Sequence, residues 1–283
     1  MLTPTAVALC AAVALATALT SEAVAQDGTV PSTQPARQER VVRWINDAPE
    51  GPGLEHKVHD SAAMGHEIGY TVYTPPAYEA EPERRFPVLY FLHGAGGSES
   101  QDAPDFSRRV GEAIDAGTLP PMLVVFPNAG MSGYRDPVET FLVEELVPMI
   151  DRDYRTIGTR ESRVAAGFSM GGSGGTYLAM RHPDLFAATA SWGGGGRGGD
   201  DRYLEALEST GEALAANDFA ILAINGDEDG PQAFEQLFAK LESIGVDHEK
   251  VVLDDQKHNL GRYYERTADQ VFAFLAEHVD ASE

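Results

Sequence analysis

Cysteine is all but missing from this chain. There is one in 283 residues, Cys10, and it lies in an apolar segment near the N-terminus. Once that segment is removed no thiol would remain, which excludes disulfides and cysteine-based metal sites. Leu9 is bulky where a lipid-bearing cysteine would need a small neighbour, so Cys10 is not read as an anchor. Lysine is scarce too, with only Lys57, Lys240, Lys250 and Lys257. Lysine and arginine together number 21 against 44 aspartates and glutamates, for a net charge of −23. That excess disfavours nucleic acid and anionic membrane as partners. Long apolar runs are absent apart from Ala6 to Leu19, which is too short to span a bilayer comfortably. Ala23-Val24-Ala25 then has the small-x-small form of a cleavage site, although no positive side chain precedes the apolar run. Residues 1–25 are expected to be a secretory signal cut before Gln26. The mature protein would be secreted or periplasmic, with no stable membrane insertion.

The remainder is a chain able to fold. With 43% hydrophobic residues it can bury a substantial core. Residues 26–39 are rich in Pro, Thr, Ser and Gln and read as a flexible linker. Residues 40–283 read as one domain. Two alternating stretches, Leu54–His59 and His66–Tyr73, suggest an antiparallel strand pair. Apolar strands are then expected at Val88–Leu92, Met122–Phe126, Arg163–Phe168, Ala187–Ser191, Phe219–Ile224 and Lys250–Leu253. Helices are expected at Phe106–Ala116, Pro137–Ile150, Met170–Arg181, Arg202–Ala215, Pro231–Ile244 and Tyr263–His278. Short apolar strands alternating with helices imply an α/β fold whose mostly parallel sheet is covered on both faces. Gly193–Gly199 is low in complexity and reads as a loop at a strand end.

Residues 163–180, "RVAAGFSMGGSGGTYLAM", contain G-x-S-x-G twice, around Ser169 and around Ser173. In a parallel sheet, ligands sit beyond the carboxyl ends of the strands. A serine on the sharp turn between strand and helix is held out toward substrate, and glycines on either side avoid collision with neighbouring backbone. Ser169 follows directly on the strand Arg163–Phe168, so it is the candidate nucleophile. Ser173 lies one turn into the helix, where it and its glycines let the helix press close to the sheet. With 29 glycines in the chain, the motif alone carries little weight. Its partners decide.

Serine needs a general base, and histidine titrates in the right range. Where serine occupies such an elbow, the acid and then the histidine follow on later loops. His182, His248, His258 and His278 come after Ser169. His182 sits at a helix end before Pro183 and reads as a cap. His248 opens a strand, and His278 lies on the terminal helix. His258 is in a turn-rich loop after the strand Lys250–Leu253, where a base belongs. Asp227, Glu228 and Asp229, after the strand Phe219–Ile224, are the candidate acids. Asn225-x-Asp227-x-Asp229-Gly230 also looks like the start of a calcium loop. It departs at the twelfth position, Gln236, and in following a strand, so no metal is expected.

Acyl chemistry also needs backbone donors for an oxyanion. Met170, the residue after the nucleophile, supplies one. "LYFLHGAGG", residues 89–97, ends an apolar strand in a His-Gly-rich loop, and Ala95 is the candidate for the other. His93 is read as a structural turn residue rather than a second base.

Taken together, "LYFLHGAGG", "ETFLVEELVPMIDRDYRT", "AAGFSMGGSGG" with "RHPDLFAA", and "KHNLGRYY" resemble the esterase D-like, or putative esterase, family of α/β-hydrolases. This family includes feruloyl and acetyl-xylan esterases, S-formylglutathione hydrolase and the mycolyltransferases. The resemblance runs from about Leu54 to Val279. It implies the α/β-hydrolase fold and ester hydrolysis through an acyl-enzyme, with no cofactor. A Gly-x-x-Asp run holds the acid in this family, and Gly226-Asp-Glu-Asp229 matches it, which puts Asp229 ahead of Asp227. An aromatic often found after the histidine is Leu260 here, with Tyr263 and Tyr264 further on. The secretory signal argues against S-formylglutathione hydrolase, whose substrate is cytosolic.

The expected protein is an exported serine esterase with the triad Ser169, His258 and Asp229. Its substrate would be a small-molecule or carbohydrate ester. Three other readings share the fold. An acyltransferase would pass the acyl group to an alcohol. A serine peptidase would use the same triad on amides, but the propeller domain that usually gates such peptidases has no room in this chain. A catalytically silent binding protein would have no use for the full set of chemical parts.

Overall fold

The computed structural model describes residues 42–195 and 201–282. The expected signal segment, the linker and Cys10 lie outside them, as does most of the glycine-rich run after Trp192.

Among the described residues, eight strands form one sheet: β1 (Leu54–Ser61), β2 (His66–Tyr73), β3 (Val88–Leu92), β4 (Leu123–Pro127), β5 (Arg163–Phe168), β6 (Ala188–Trp192), β7 (Ala220–Gly226) and β8 (Asp247–Leu253). Their order is β1-β2-β4-β3-β5-β6-β7-β8. The first pair is antiparallel, β2 meets β4 antiparallel, and the remaining neighbours run parallel. Every residue of β3, β4, β6 and β7 is buried, as strands covered on both faces must be. In the edge strand β8 no residue is fully buried: His248 and Lys250 on one face and Val251 and Leu253 on the other are partly covered, and the rest are exposed.

The helices are α1 (Pro76–Ala80), α2 (Ala103–Asp115), α3 (Val138–Thr140), α4 (Val147–Asp153), α5 (Met170–Arg181), α6 (Asp201–Ala216), α7 (Glu235–Ile244) and α8 (Leu260–His278). They form two layers, and the two-residue period of β3 sorts them. Val88, Tyr90 and Leu92 pack with residues of α4, α5, α6 and α7. Leu89 and Phe91 face the opposite way, toward α2 and α8.

Several boundaries differ from those expected, each for a local reason. The single helix expected over Pro137–Ile150 is interrupted by a wide π turn, Phe141–Leu146, between α3 and α4. Pro148 has no N–H to continue the ordinary ladder, and the Val147 N–H bonds five residues back to the Leu142 carbonyl. The helix expected from Pro231 starts only at Glu235, because Phe234 takes a left-handed φ of 65°. Burial of the Phe234 ring against Tyr203 and Phe238 holds that turn. Strand β8 begins three residues earlier than expected, since polar side chains are tolerated on an edge. Helix α8 begins at Leu260 rather than Tyr263, because Asn259 caps it by accepting the Arg262 N–H at 2.9 Å.

A buried carboxylate ties the N-terminal stretch to the sheet. Glu99 has no exposed side-chain surface. It accepts the Asn46 backbone N–H at 2.7 Å, Asn46 Nδ2 at 2.9 Å and Asn128 Nδ2 at 2.7 Å, and lies 3.2 Å from His56 Nε2. Asn46 Nδ2 and Asn128 Nδ2 also reach the Arg43 carbonyl, at 3.1 Å and 2.9 Å, but Glu99→Ala would take the acceptor from the Asn46 backbone N–H and from one N–H of each amide, at a cost on the order of 3 kcal/mol. Thermal unfolding should then show a midpoint lower by about 6–12 °C. An unchanged midpoint would mean the donors find other acceptors.

Candidate active site

The strand order reverses around β3. From β3 the chain moves outward to β4, then crosses back to β5 on the other side of β3. The loops following β3 and β5 therefore diverge at adjacent strand ends, which is where open α/β sheets bind ligands. The loops after β6, β7 and β8 leave the same end.

Ser169 stands between β5 and α5 at φ 56°, ψ −114°, a conformation that few non-glycine residues adopt. Its neighbours make the turn possible. A Cβ on Gly171 would lie 2.7 Å from the His93 carbonyl oxygen and nearer still to that of Leu92. The Ser169 N–H donates to the Trp192 carbonyl at 2.8 Å, which pins the turn to β6.

Ser169 Oγ lies 2.8 Å from His258 Nε2. His258 Nδ1 lies 2.9 Å and 2.8 Å from the two carboxylate oxygens of Asp229. The three side chains thus meet across 89 residues of sequence. The acid is mostly buried, at 16% exposure, and the histidine is 47% exposed. A carboxylate on Nδ1 keeps that nitrogen protonated and leaves the Nε2 lone pair facing the serine. The Phe168 ring stacks on the imidazole, with centroids 4.6 Å apart.

The structure separates the two candidate aspartates. Asp227 is turned to the neighbouring loop, where its carboxylate accepts the Gln256 N–H at 3.2 Å. Backbone N–H groups around it, that of Asp255 first, hold its carboxyl below the usual range. Glu228 pairs with Lys257 at 3.6 Å on the surface. Asn225 is buried and donates to the Gly194 carbonyl at 3.0 Å. The three side chains of the calcium-like pattern therefore face three different partners.

The other serine and histidines lie elsewhere. Ser173 Oγ accepts the Gly195 N–H at 2.8 Å, one turn into α5. His182 ends α5 and meets Glu139 at 3.0 Å. His248 contacts the Val246 carbonyl at 2.9 Å, and His278 packs on Phe274.

His93 is buried, and burial pushes its pKa below the ordinary histidine value. Its Nε2 accepts the Ala129 N–H at 2.9 Å, so the proton sits on Nδ1, which donates to the Gly94 carbonyl at 2.8 Å. The Gly97 N–H donates to the same carbonyl at 2.9 Å. In a trans peptide the N–H points opposite to the C=O. Pinning the Gly94 carbonyl from two sides therefore aims the Ala95 N–H the other way. Gly94 itself packs beside Ser169, whose Cβ would lie 3.4 Å from a Cβ added there. Met170 opens the 12-residue helix α5, whose first N–H groups have no partner within the helix and whose positive end meets the serine.

Two contributors escaped the sequence reading. Gly193 has φ 56°, and a Cβ there would lie 2.8 Å from Asp229 Oδ2 and 3.2 Å from His258 Nδ1. The only signal for it was the glycine run itself. Tyr263 donates its hydroxyl to Asp229 Oδ2 at 2.7 Å. It was visible only as an aromatic beyond the histidine.

An eight-stranded, mostly parallel sheet with helices on both faces and a serine elbow after β5 is the α/β-hydrolase fold. A solved ferulic acid esterase superposes with a TM-score of 0.70 at 25% identity, covering 79% of this chain and 97% of its own. The model of the family described as putative esterase matches residues 61–203, just over half of the sequence, and the chain belongs to that family. An esterase of Mycobacterium tuberculosis is 32% identical over 163 residues, covering 54% of this chain and 35% of that protein. An endo-1,4-beta-xylanase/feruloyl esterase of Xylanibacter ruminicola is 23% identical over 257 residues, covering 84% of this chain and 34% of that protein. The chain thus spans about a third of the length of these curated relatives. Among the described residues, no helix is long and apolar enough to cross a membrane.

Proposed function

We propose that this chain is an exported serine esterase that hydrolyses carboxylic esters through an acyl-enzyme. The observation that carries the proposal is the unbroken contact from Ser169 Oγ through the His258 ring to the Asp229 carboxylate, at 2.8 Å on the serine side and 2.8–2.9 Å on the acid side. Ser169 attacks the ester carbonyl as His258 Nε2 takes its proton. Asp229 holds the ring and stabilises the imidazolium. The Ala95 and Met170 N–H groups receive the oxyanion, aided by the positive end of α5. His258 returns the proton to the leaving alcohol. It then deprotonates the water that releases the acid. Its 47% exposure suits the entry of that water.

The class of bond follows from family membership. Relatives named for feruloyl ester cleavage make acyl groups on carbohydrate the first substrates to try. Export rests on residues 1–25, and the domain assignment is residues 40–283.

A fluorophosphonate probe should label the protein once, on the peptide containing Ser169, as read by mass spectrometry. Purified protein should then be offered short acyl, feruloyl and acetylated-polysaccharide esters, with and without an alcohol acceptor, and peptide amides. Hydrolysis of at least one ester class is expected. Failure of the probe to react would sink the nucleophile assignment, and cleavage of amides alone would replace esterase with peptidase.

A further inference from the structure

Building on the triad proposed above, we infer that Tyr263 is a positioning residue of the active site, one that fixes Asp229 and moderates its charge so that the carboxylate sets the basicity of His258. Tyr263 lies in the first turn of α8 with no exposed surface. Its hydroxyl oxygen accepts the Gly226 N–H at 2.8 Å and stands 2.7 Å from Asp229 Oδ2. An amide N–H can only donate. The single phenolic proton must therefore go to the carboxylate. Burial, then the hydrogen bond to Asp229, raises the pKa of the phenol far above the usual tyrosine value, so that proton stays in place.

Two consequences follow. The first is geometric. Asp229 is on the loop after β7, whereas His258 precedes α8 by two residues. Tyr263 binds the acid to the same helix start that presents the base. Thr267, one turn further along α8, accepts the Trp192 Nε1–H at 3.0 Å, so the same helix also grips the β6 end that carries Trp192 and, through its carbonyl, the Ser169 N–H. The second is electrostatic. A hydrogen bond donated to a carboxylate draws on its negative charge. Asp229 Oδ2 shares its charge between Tyr263 and His258, so the imidazolium is stabilised less than by an unshared carboxylate. The other charged groups around the pair are the Glu228–Lys257 pair and Asp227 on the adjoining loops, with Arg266 on α8. Phe168 and Gly193 supply no charge. Among the described residues, the hydrogen bonds to the imidazole are those of Ser169 and Asp229.

The experiment is the pH profile of kcat/KM for a p-nitrophenyl ester, in the unmodified protein, Tyr263→Phe and Tyr264→Phe. The acid limb reports the free-enzyme pKa of His258, which must be neutral to act. Tyr263→Phe removes one oxygen and frees the Asp229 charge, so the limb should move up by about half a pH unit or more. Its kcat should fall roughly tenfold with KM little changed. Tyr264 is the control. It is buried next in sequence, and its hydroxyl makes no hydrogen bond among the described residues. Tyr264→Phe should leave the limb in place and the unfolding midpoint no lower. A limb that stays or moves down in Tyr263→Phe would overturn the inference, because a purely structural tyrosine lowers activity without raising the pKa of the base. If Tyr263→Phe does not fold, 3-fluorotyrosine placed at position 263 gives the opposite test. Its more acidic phenol should move the limb down, and an unmoved limb overturns the inference. Absence of fluorophosphonate labelling at Ser169 in the unmodified protein would instead bring down the triad reading, and this inference with it.

Discussion

Ser169→Ala will lower kcat/KM for a p-nitrophenyl acyl ester by about ten-thousand-fold or more, with the fold intact. The loss is large because, among the described residues, Ser169 supplies the one hydroxyl hydrogen-bonded to His258. Ser173, the second serine of the repeated motif, lies one turn into α5 with its hydroxyl engaged by the Gly195 N–H. The fold should survive because the change removes one oxygen and keeps the Cβ. Serine and alanine strain the turn equally at φ 56°. Ser169→Gly should relieve that strain and raise the unfolding midpoint while being just as inactive. Steady-state hydrolysis beside a thermal melt checks both. Activity within tenfold of the parent protein in Ser169→Ala would end the serine mechanism.

The second large effect separates two aspartates that are two residues apart. Asp229→Asn should reduce kcat by about ten-thousand-fold, and Asp227→Asn by less than about twofold. At 229, both the His258 ring and the Tyr263 hydroxyl approach as donors. An asparagine amide cannot accept at its nitrogen. Either way round, that nitrogen faces one of the two donors or a second contact of His258, and turned to His258 it leaves the imidazole with the wrong tautomer toward the serine. At 227 the carboxylate serves only an exposed turn, where it accepts the Gln256 N–H, and asparagine keeps an oxygen for that bond. The two variants can be assayed side by side at the pH optimum. Equal losses, or the larger loss at 227, would remove Asp229 from the mechanism.

Local order made part of this legible in advance. The residues from Arg163 to Arg181 were expected as strand, turn and helix, with the bounds later seen for β5 and α5. The cause is local. A short apolar run following Arg163 fits a covered strand, and the glycines two residues to either side of Ser169 permit a turn that larger residues would block. His258 was legible for a similar reason, as a histidine in a loop directly after the last strand. The broken helix at Phe141–Leu146 was less so, because its residues keep helical periodicity and only the missing N–H of Pro148 betrays the wider turn. Glu99 gave no signal at all. Its partners Asn46, His56 and Asn128 lie 29 to 53 residues away, and nothing in their spacing marks them as one cluster.

From the sequence alone came the layered sheet, the elbow at Ser169, the family resemblance and a short list of partners for the serine. Periodicity, glycine placement and motif order are properties of neighbouring residues, so they can be read along the chain. The resemblance already placed Asp229 ahead of Asp227; the contact of Asp229 with the His258 ring, the hydroxyl of Tyr263 on Asp229 and the close approach of Gly193 came from tertiary structure. Each depends on which way a side chain leaves its loop once β7, β8 and α8 are packed together. That direction is decided by contacts between segments far apart in sequence.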